Sequence, residues 1–186
     1  ILGSSSGGNC GLLQTPKASV LIDAGFSARR TGQILASFGQ ALAEIDAVFV
    51  THEHIDHVKG LPAIAGKAAS MRVFATYGTR CAAQSQIEDA KLKWSIIQPG
   101  AEFEFADLRI KAFSVPHDAM DTVGYLFTTG DDSPGNPVRR LAWMTDLGHI
   151  PRQAAESAAQ ADVLVIEANH DLKMLEDSPR PFQLKQ

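Results

Sequence analysis

The stretch Ile45-Asp46-Ala47-Val48-Phe49-Val50, running directly into Thr51-His52-Glu53-His54-Ile55-Asp56-His57, decides how this chain is read. The first half has the length and apolar content of a buried strand. His52, His54 and His57 therefore lie on the loop that leaves a strand, where a rigid scaffold commonly presents catalytic groups. In His52-Glu53-His54 the two imidazoles stand two positions apart, so on an extended backbone both face one side and can chelate one ion. Asp56 and His57 follow with a carboxylate oxygen and a third imidazole, within reach of a second ion. Neutral imidazole and carboxylate suit Zn²⁺ and similar divalent metals, with Mn²⁺ and Fe²⁺ also compatible. The bland alternative is a polar loop with solvated histidines, but the whole chain holds only 6, and free loops rarely concentrate such side chains.

Working outward, Ser19 to Ala24 (SVLIDA) is another short apolar run closed by Gly25, and Ser27 is placed to cap a helix that ends at Gly39. Before it, Gly3-Ser4-Ser5-Ser6-Gly7-Gly8-Asn9 reads as a tight loop of small residues with exposed backbone amides. Downstream, Arg72 to Thr76 predicts a strand and Gly78 to Ala90 a helix. Glu102 to Phe105 and Leu108 to Val115 alternate around the turn Ala106-Asp107, which predicts a hairpin. Val123 to Thr128 and Leu141 to Met144 are further strands around a loop of turn-forming residues at 130–137. Pro151 opens an Ala-rich helix, and Asp162 to Ile166 is a last buried strand. Strands outnumber helices and come both as hairpins and as strand–helix pairs. That order predicts an α/β (α+β) fold with two mixed sheets and helices outside, rather than a doubly wound parallel sheet.

Bulk composition narrows the function. At 186 residues, with no internal repeat or linker, residues 1–186 are expected to form a single domain, since such domains usually span roughly 50–250 residues. With 45% hydrophobic and 20% charged residues the chain should fold. No apolar stretch approaches the ~20 residues of a membrane helix, and Ile1-Leu2-Gly3-Ser4 lacks the basic start of a signal peptide, so a soluble cytoplasmic protein is expected. A net charge of -4 argues against a broad basic face for a nucleic-acid backbone, although a cleft can be locally positive. Cys10 and Cys81 are expected to be reduced thiols. The chain opens without Met and closes on a mixed polar segment, Asp177 to Gln186, so N-terminal residues and a C-terminal segment are expected to be missing.

Two later positions repeat the pattern of a ligand-capable residue just beyond a strand. Phe113-Ser114-Val115-Pro116-His117-Asp118 places His117 where it can complete a three-His site. Ala142-Trp143-Met144-Thr145-Asp146-Leu147-Gly148 places Asp146 where one carboxylate can bridge two ions. Either alone would read as a turn residue; their order after the His run strengthens both. Trp94, Trp143 and Tyr125 lie in or beside apolar runs and are read as core.

Taken together, these residues resemble the metallo-β-lactamase-fold hydrolases across essentially the whole chain: Ile22-Asp23-Ala24-Gly25, the H-x-H-x-D-H run at 52–57, His117 and Asp146. The resemblance implies an αββα sandwich in which His52, His54 and His117 bind a first metal, Asp56 and His57 a second, and Asp146 bridges them. Gly3 to Asn9, Pro116-His117-Asp118-Ala119 with Gly124-Tyr125, Thr145-Asp146-Leu147-Gly148 and Glu167-Ala168-Asn169-His170-Asp171 look like the YycJ/WalJ subgroup. That subgroup implies a nuclease with 5′-to-3′ exonuclease activity on DNA. It also implies a final second-site His in a Gly-His-Leu-Ser-type motif, which does not occur before Gln186. The expectation is that it lies in a missing C-terminal segment, with His170 as the substitute otherwise.

The implied chemistry is dinuclear hydrolysis, in which two divalent ions ~3.5–4 Å apart share a hydroxide. Asp56 would orient it, Asp118 or His170 would assist the leaving group, and the opening loop, with Ser5 and Asn9, would hold a phosphate through its amides. Two rivals remain: a small-molecule hydrolase acting on a thioester, lactone or β-lactam, and a metal-binding protein without catalysis.

Overall fold

The computed structural model describes residues 1–88 and 92–167. Alternation along each strand decides which face it buries. In β2 (Ser19–Ile22) Val20 and Ile22 oppose Leu21; in β3 (Ala47–Phe49) Ala47 and Phe49 oppose Val48; in β4 (Arg72–Thr76) Phe74 opposes Val73 and Ala75. All of these side chains are buried, and strands apolar on both faces belong in the interior of a layered structure. β1 (Gly11–Gln14) pairs antiparallel with β2, and β5 (Lys93–Ile97) pairs parallel with β4, giving a mixed sheet of order β1-β2-β3-β4-β5.

The expected hairpin is β6 (Glu102–Phe105) and β7 (Leu108–Ser114), turning at Ala106-Asp107. β8 (Val123–Thr129) and β9 (Arg139–Met144) extend it antiparallel, and β10 (Val163–Ile166) adds parallel to β9. The second sheet is therefore also mixed, of order β10-β9-β8-β7-β6.

Three apolar layers hold the sheets and helices together. Between the sheets, Val20, Ile22, Phe49 and Phe74 meet Ile110, Ala112, Tyr125, Phe127 and Trp143. Phe49 is the hub of this layer: its ring stacks on Phe74 at 4.7 Å and meets Phe127 edge-on at 5.1 Å. Outside the first sheet, Leu21, Val48 and Val73 pack on Leu35 of α1 (Ala28–Ala36), Val58 of α2 (Ile55–Val58) and Leu61 and Ile64 of α3 (Leu61–Ala65). Outside the second, Phe113, Leu126 and Met144 pack on Ala154 of α5 (Arg152–Ala158). This is the expected αββα sandwich. Trp143 and Tyr125 are core, as read from sequence.

Several expectations are corrected. β1 and β5 were not anticipated. Ser27 does cap α1, its hydroxyl accepting from the Arg30 amide, but the helix ends at Ala36 because the chain turns through Gly39 at φ 72. α4 (Tyr77–Ala83) is shorter than the expected 78–90, closing in i→i+3 bonds from the Ser85 and Gln86 amides; residues 89–91 lie outside the described residues. β10 is not buried throughout: Val163 and Leu164 are 56% and 44% exposed, because among the described residues the strand is the sheet edge and pairs with β9 alone. Cys10 and Cys81 are free thiols, and among the described residues no helix is long and apolar enough to cross a membrane.

One polar contact joins the two sheets immediately before the His run. The Tyr125 hydroxyl donates to the Val50 carbonyl at 2.6 Å, and burial pushes that hydroxyl's pKa well above its ordinary value, so it remains a donor. Tyr125→Phe is expected to leave that carbonyl unpaired in the core and to destabilise the fold by about 1–3 kcal/mol, measured by urea unfolding.

Candidate metal centre

The centre starts from a buried carboxylate. Asp23 follows β2 in the left-handed region, at φ 59, which aspartate tolerates better than most residues, and it is 1% exposed. Its oxygens accept from the Thr51 amide at 2.8 Å and the Thr51 hydroxyl at 2.9 Å, and lie 2.9 Å from Nδ1 of His57. A carboxylate accepts, so a His57 proton sits on Nδ1, and in the neutral ring Nε2 keeps its lone pair. The Thr51 hydroxyl, turned to Asp23, is in turn 3.0 Å from Nδ1 of His52, which places the His52 proton there as well. Thr51 and Asp23 thus aim the Nε2 atoms of two imidazoles into one space.

The remaining histidines join them. His52 and His54 lie on the loop after β3, as expected, but Asp56 and His57 lie on the helical turn α2 rather than on loop. His52 ring centroids stand 4.1 Å from His57, 4.6 Å from His54 and 4.7 Å from His117. Nδ1 of His54 is 3.1 Å from Nε2 of His117, whose Nδ1 lies 3.2 Å from the Asp118 carboxylate. Asp146, at φ 54 after β9, reaches to 3.3 Å of His57 Nε2, and Asp56 to 3.7 Å of the same atom. Two triads result, His52-His54-His117 and His52-His57-Asp146, each with one donor atom per residue and all donors within 4.8 Å of one another.

Charge and burial agree with a divalent cation there. His52 Nε2 is buried with no hydrogen-bond partner among the described residues, a lone pair free to coordinate a cation. Burial, reinforced by His57, His117 and His54, holds the His52 pKa far below its ordinary value, so the ring stays a neutral ligand. His117 is also lowered by burial, against the pull of Asp118 and Asp146. Burial raises the Asp146 pKa against the pull of His57. At His57 burial opposes the charge, but the charge and hydrogen bond of Asp23, then Asp146 and Asp56, outweigh it and raise the pKa to about 9. At neutral pH that leaves the metal-free ring with a second proton, at Nε2, and a divalent cation at that atom would replace it. Imidazole and carboxylate donors in this number suit a divalent metal.

Backbone bonds lock the contributing loops to one another. The Asn9 amide donates to the Asp56 carbonyl at 2.8 Å, the Gly25 amide to Asn9 at 2.8 Å, and the Ala24 amide to His57 at 2.7 Å. From the second sheet, the Val123 amide donates to Thr51 at 3.0 Å and the Met120 amide to the Glu53 carboxylate at 2.9 Å. Gly25 makes the first of these interlocks possible, since a Cβ there would stand 1.6 Å from the Asp56 carbonyl oxygen.

The other sequence candidates separate. Ser5 is exposed, with its hydroxyl accepting from the Gly7 amide at 3.2 Å. Asn9 is nearly buried, and its carboxamide points inward rather than to solvent. Asp118 is turned toward His117 and His54. His170 lies outside the described residues. Sequence reasoning gave no role to Asp23 or Thr51, although both flank apolar runs in the quoted motifs, or to Lys59, whose ammonium donates to the Gly7 carbonyl.

Residues 18–184 match the family profile of the Beta-lactamase superfamily domain. The chain belongs to the β-lactamase superfamily. Within that superfamily it is 33% identical over 189 aligned positions to the exodeoxyribonuclease WalJ of Streptococcus pneumoniae, covering 100% of this chain and 67% of the relative. It is 31% identical over 189 positions to the exodeoxyribonuclease YycJ of Bacillus anthracis, with the same coverage of each. Among solved structures, the Rm3 metallo-β-lactamase superposes with a TM-score of 0.64 at 15% identity, over 83% of this chain and 70% of that one, which supports the superfamily fold alone.

Gly25→Ala is expected to force the loop carrying Asp23 away from α2. The fold should lose about 3 kcal/mol or more, at the upper end of overpacking costs because the obstacle is backbone, as read by thermal melting.

Proposed function

We propose that this protein is a dinuclear metal-dependent phosphodiesterase, a 5′-to-3′ exonuclease acting on DNA. What carries the reading is the convergence of His52, His54, His57, His117 and Asp146 in a chain that aligns along its whole length with proteins named exodeoxyribonucleases. His52, His54 and His117 would hold one ion and Asp56 and His57 the other, with Asp146 serving as a ligand between them; Zn²⁺ or Mn²⁺ fits the donors, and Fe²⁺ is compatible. When bound, such ions lower the pKa of water toward neutrality and neutralise charge on the attacked phosphate.

The chain's own groups do the rest. Asp23 and Thr51 fix the tautomers of His57 and His52, so no reorganisation is needed when the substrate arrives. Asp56, whose side chain is 26% exposed, orients the attacking water and accepts its proton. Asp118 is anchored on His117 yet open at the mouth, and assists the departing oxygen; His170 shares that proposed role from outside the described residues. The opening loop holds a substrate phosphate: the Ser5 and Ser6 amides have no acceptor among the described residues, and Lys59 adds a positive charge beside Gly7. This small cationic feature lets a chain of net charge -4 approach a phosphodiester locally. The proposed setting is the cytoplasm.

Labelled 5′-phosphorylated single- and double-stranded DNA, RNA, a thioester, a lactone and a β-lactam, each assayed with Mn²⁺ or Zn²⁺, test the reading. DNA is expected to shorten from its 5′ end, with activity lost on chelation, and Asp56→Ala should cost at least ~100-fold. Turnover of a small substrate with intact DNA would overturn it.

Ser5→Ala and Lys59→Ala are expected to raise KM for DNA about fivefold, the loss of roughly 1 kcal/mol of binding, while metal content stays at the wild-type value. Unchanged KM in both variants would remove the loop from the substrate site.

A further inference from the structure

The Asn9 carboxamide stands where the donors of the His57 triad converge. Its Nδ2 is 3.0 Å from His57 Nε2 and 3.1 Å from Asp56 Oδ2, while its Oδ1 accepts from the Ser4 hydroxyl at 2.9 Å. The backbone on either side is pinned by the bonds to Asp56 and from Gly25, so only the terminal amide can turn. His57 gives its proton-bearing Nδ1 to Asp23, and Asp56 and Asp146 close on Nε2. That face gathers an imidazole nitrogen and two carboxylates, surroundings that a cation would satisfy. An N–H group aimed at a cation is repelled, and a carbonyl oxygen is attracted.

A half-turn about the Cβ–Cγ bond of Asn9 exchanges the two. The oxygen then faces His57 and Asp56, and the amide nitrogen faces Ser4, whose hydroxyl accepts as readily as it donates. The exchange gives up the Nδ2 contacts to Asp56 Oδ2 at 3.1 Å, to His57 Nε2 at 3.0 Å and to the Ser5 carbonyl at 3.3 Å, and a cation held by the oxygen together with Asp56 and His57 would replace the first two. Asn9 is already nearly buried, so the oxygen needs no further desolvation.

We propose that Asn9 is itself a metal ligand, a neutral amide oxygen supplied by the N-terminal loop to the divalent cation of the Asp56-His57-Asp146 subsite. The inference rests on the dinuclear reading above. It gives the Gly3–Asn9 loop a second task, because the residue that closes the proposed phosphate loop also completes the cage beside it. An amide oxygen is a hard donor, so this subsite favours Mn²⁺ relative to an all-imidazole one.

The test is calorimetric titration of the metal-stripped protein with Mn²⁺, without substrate, beside thermal melts of each metal-free variant. Wild type is expected to take up two ions. Asn9→Ala should weaken the looser site ~10–100-fold and spare the tighter one, and Asn9→Asp, which keeps an oxygen, should hold both. Equal affinities in wild type and Asn9→Ala would overturn the proposal. So would an Asn9→Asp variant as weak as Asn9→Ala, since the amide N–H would then be the group that matters. Should Asn9→Ala not fold, the isotope-labelled Asn9 carbonyl resonance of the wild-type protein decides: it shifts on adding Zn²⁺ if the oxygen is a ligand, and an unmoved resonance overturns the assignment. A wild type that binds one ion sinks the dinuclear reading and this inference together. One that binds two ions and leaves DNA intact sinks only the nuclease reading.

Discussion

A single buried carboxylate sets the terms for the rest of this molecule. An ionised aspartate in the interior costs several kcal/mol unless its oxygens are paired, and among the described residues Asp23 meets that demand with Thr51 and His57. Satisfying it joins the end of β2, the first residue of the His loop and the helical turn α2 in one place. The orientation of His57 and, through the Thr51 hydroxyl, of His52 follows from that pairing. Both Asp23 and Asp146 occupy left-handed backbone, and in each case the unusual φ carries a carboxylate from a strand end into the centre.

The division of labour between the sheets explains how a fold can be kept while sequence changes. At 15% identity a solved metallo-β-lactamase still superposes with a TM-score of 0.64. The sandwich asks only for apolar residues at alternate strand positions and a filled space between the sheets, as Phe49 and its neighbours supply here. The centre asks for particular atoms at particular strand ends.

That difference accounts for what could be read in advance. His52, His54, Asp56 and His57 were legible because ligand chemistry is compressed into one short run, and His117 and Asp146 because each stands just past an apolar strand. The layer order was legible from hairpins mixed with strand–helix pairs. β1 and β5 were not: β1 is four residues opening on glycine, and β5 alternates only across Lys93-Trp94-Ser95-Ile96, too short a run to stand out. The exposure of Val163 and Leu164 depends on having one neighbouring strand, which local hydrophobicity does not encode. The pairings that aim the ligands cross long stretches of chain, 34 positions from Asp23 to His57 and 48 from Asn9 to His57. The loop Gly3 to Asn9 looked like a phosphate holder throughout because nothing near it in sequence shows that Asn9 turns inward.

The two sheets are also consecutive in time. Every strand of the first lies between Gly11 and Ile97, and every strand of the second between Glu102 and Ile166. A ribosome therefore delivers the first sheet whole before its partner exists, with Val20, Ile22, Phe49 and Phe74 facing water on what will become the inner side. During synthesis that aromatic face is the surface a chaperone would need to shield, and the interval lasts until β8 and β9 emerge. His117 and Asp146 come from the later half, so a chain halted midway carries His52, His54 and His57 and neither complete triad. The late arrival of those two ligands ties assembly of both triads to the emergence of the second sheet.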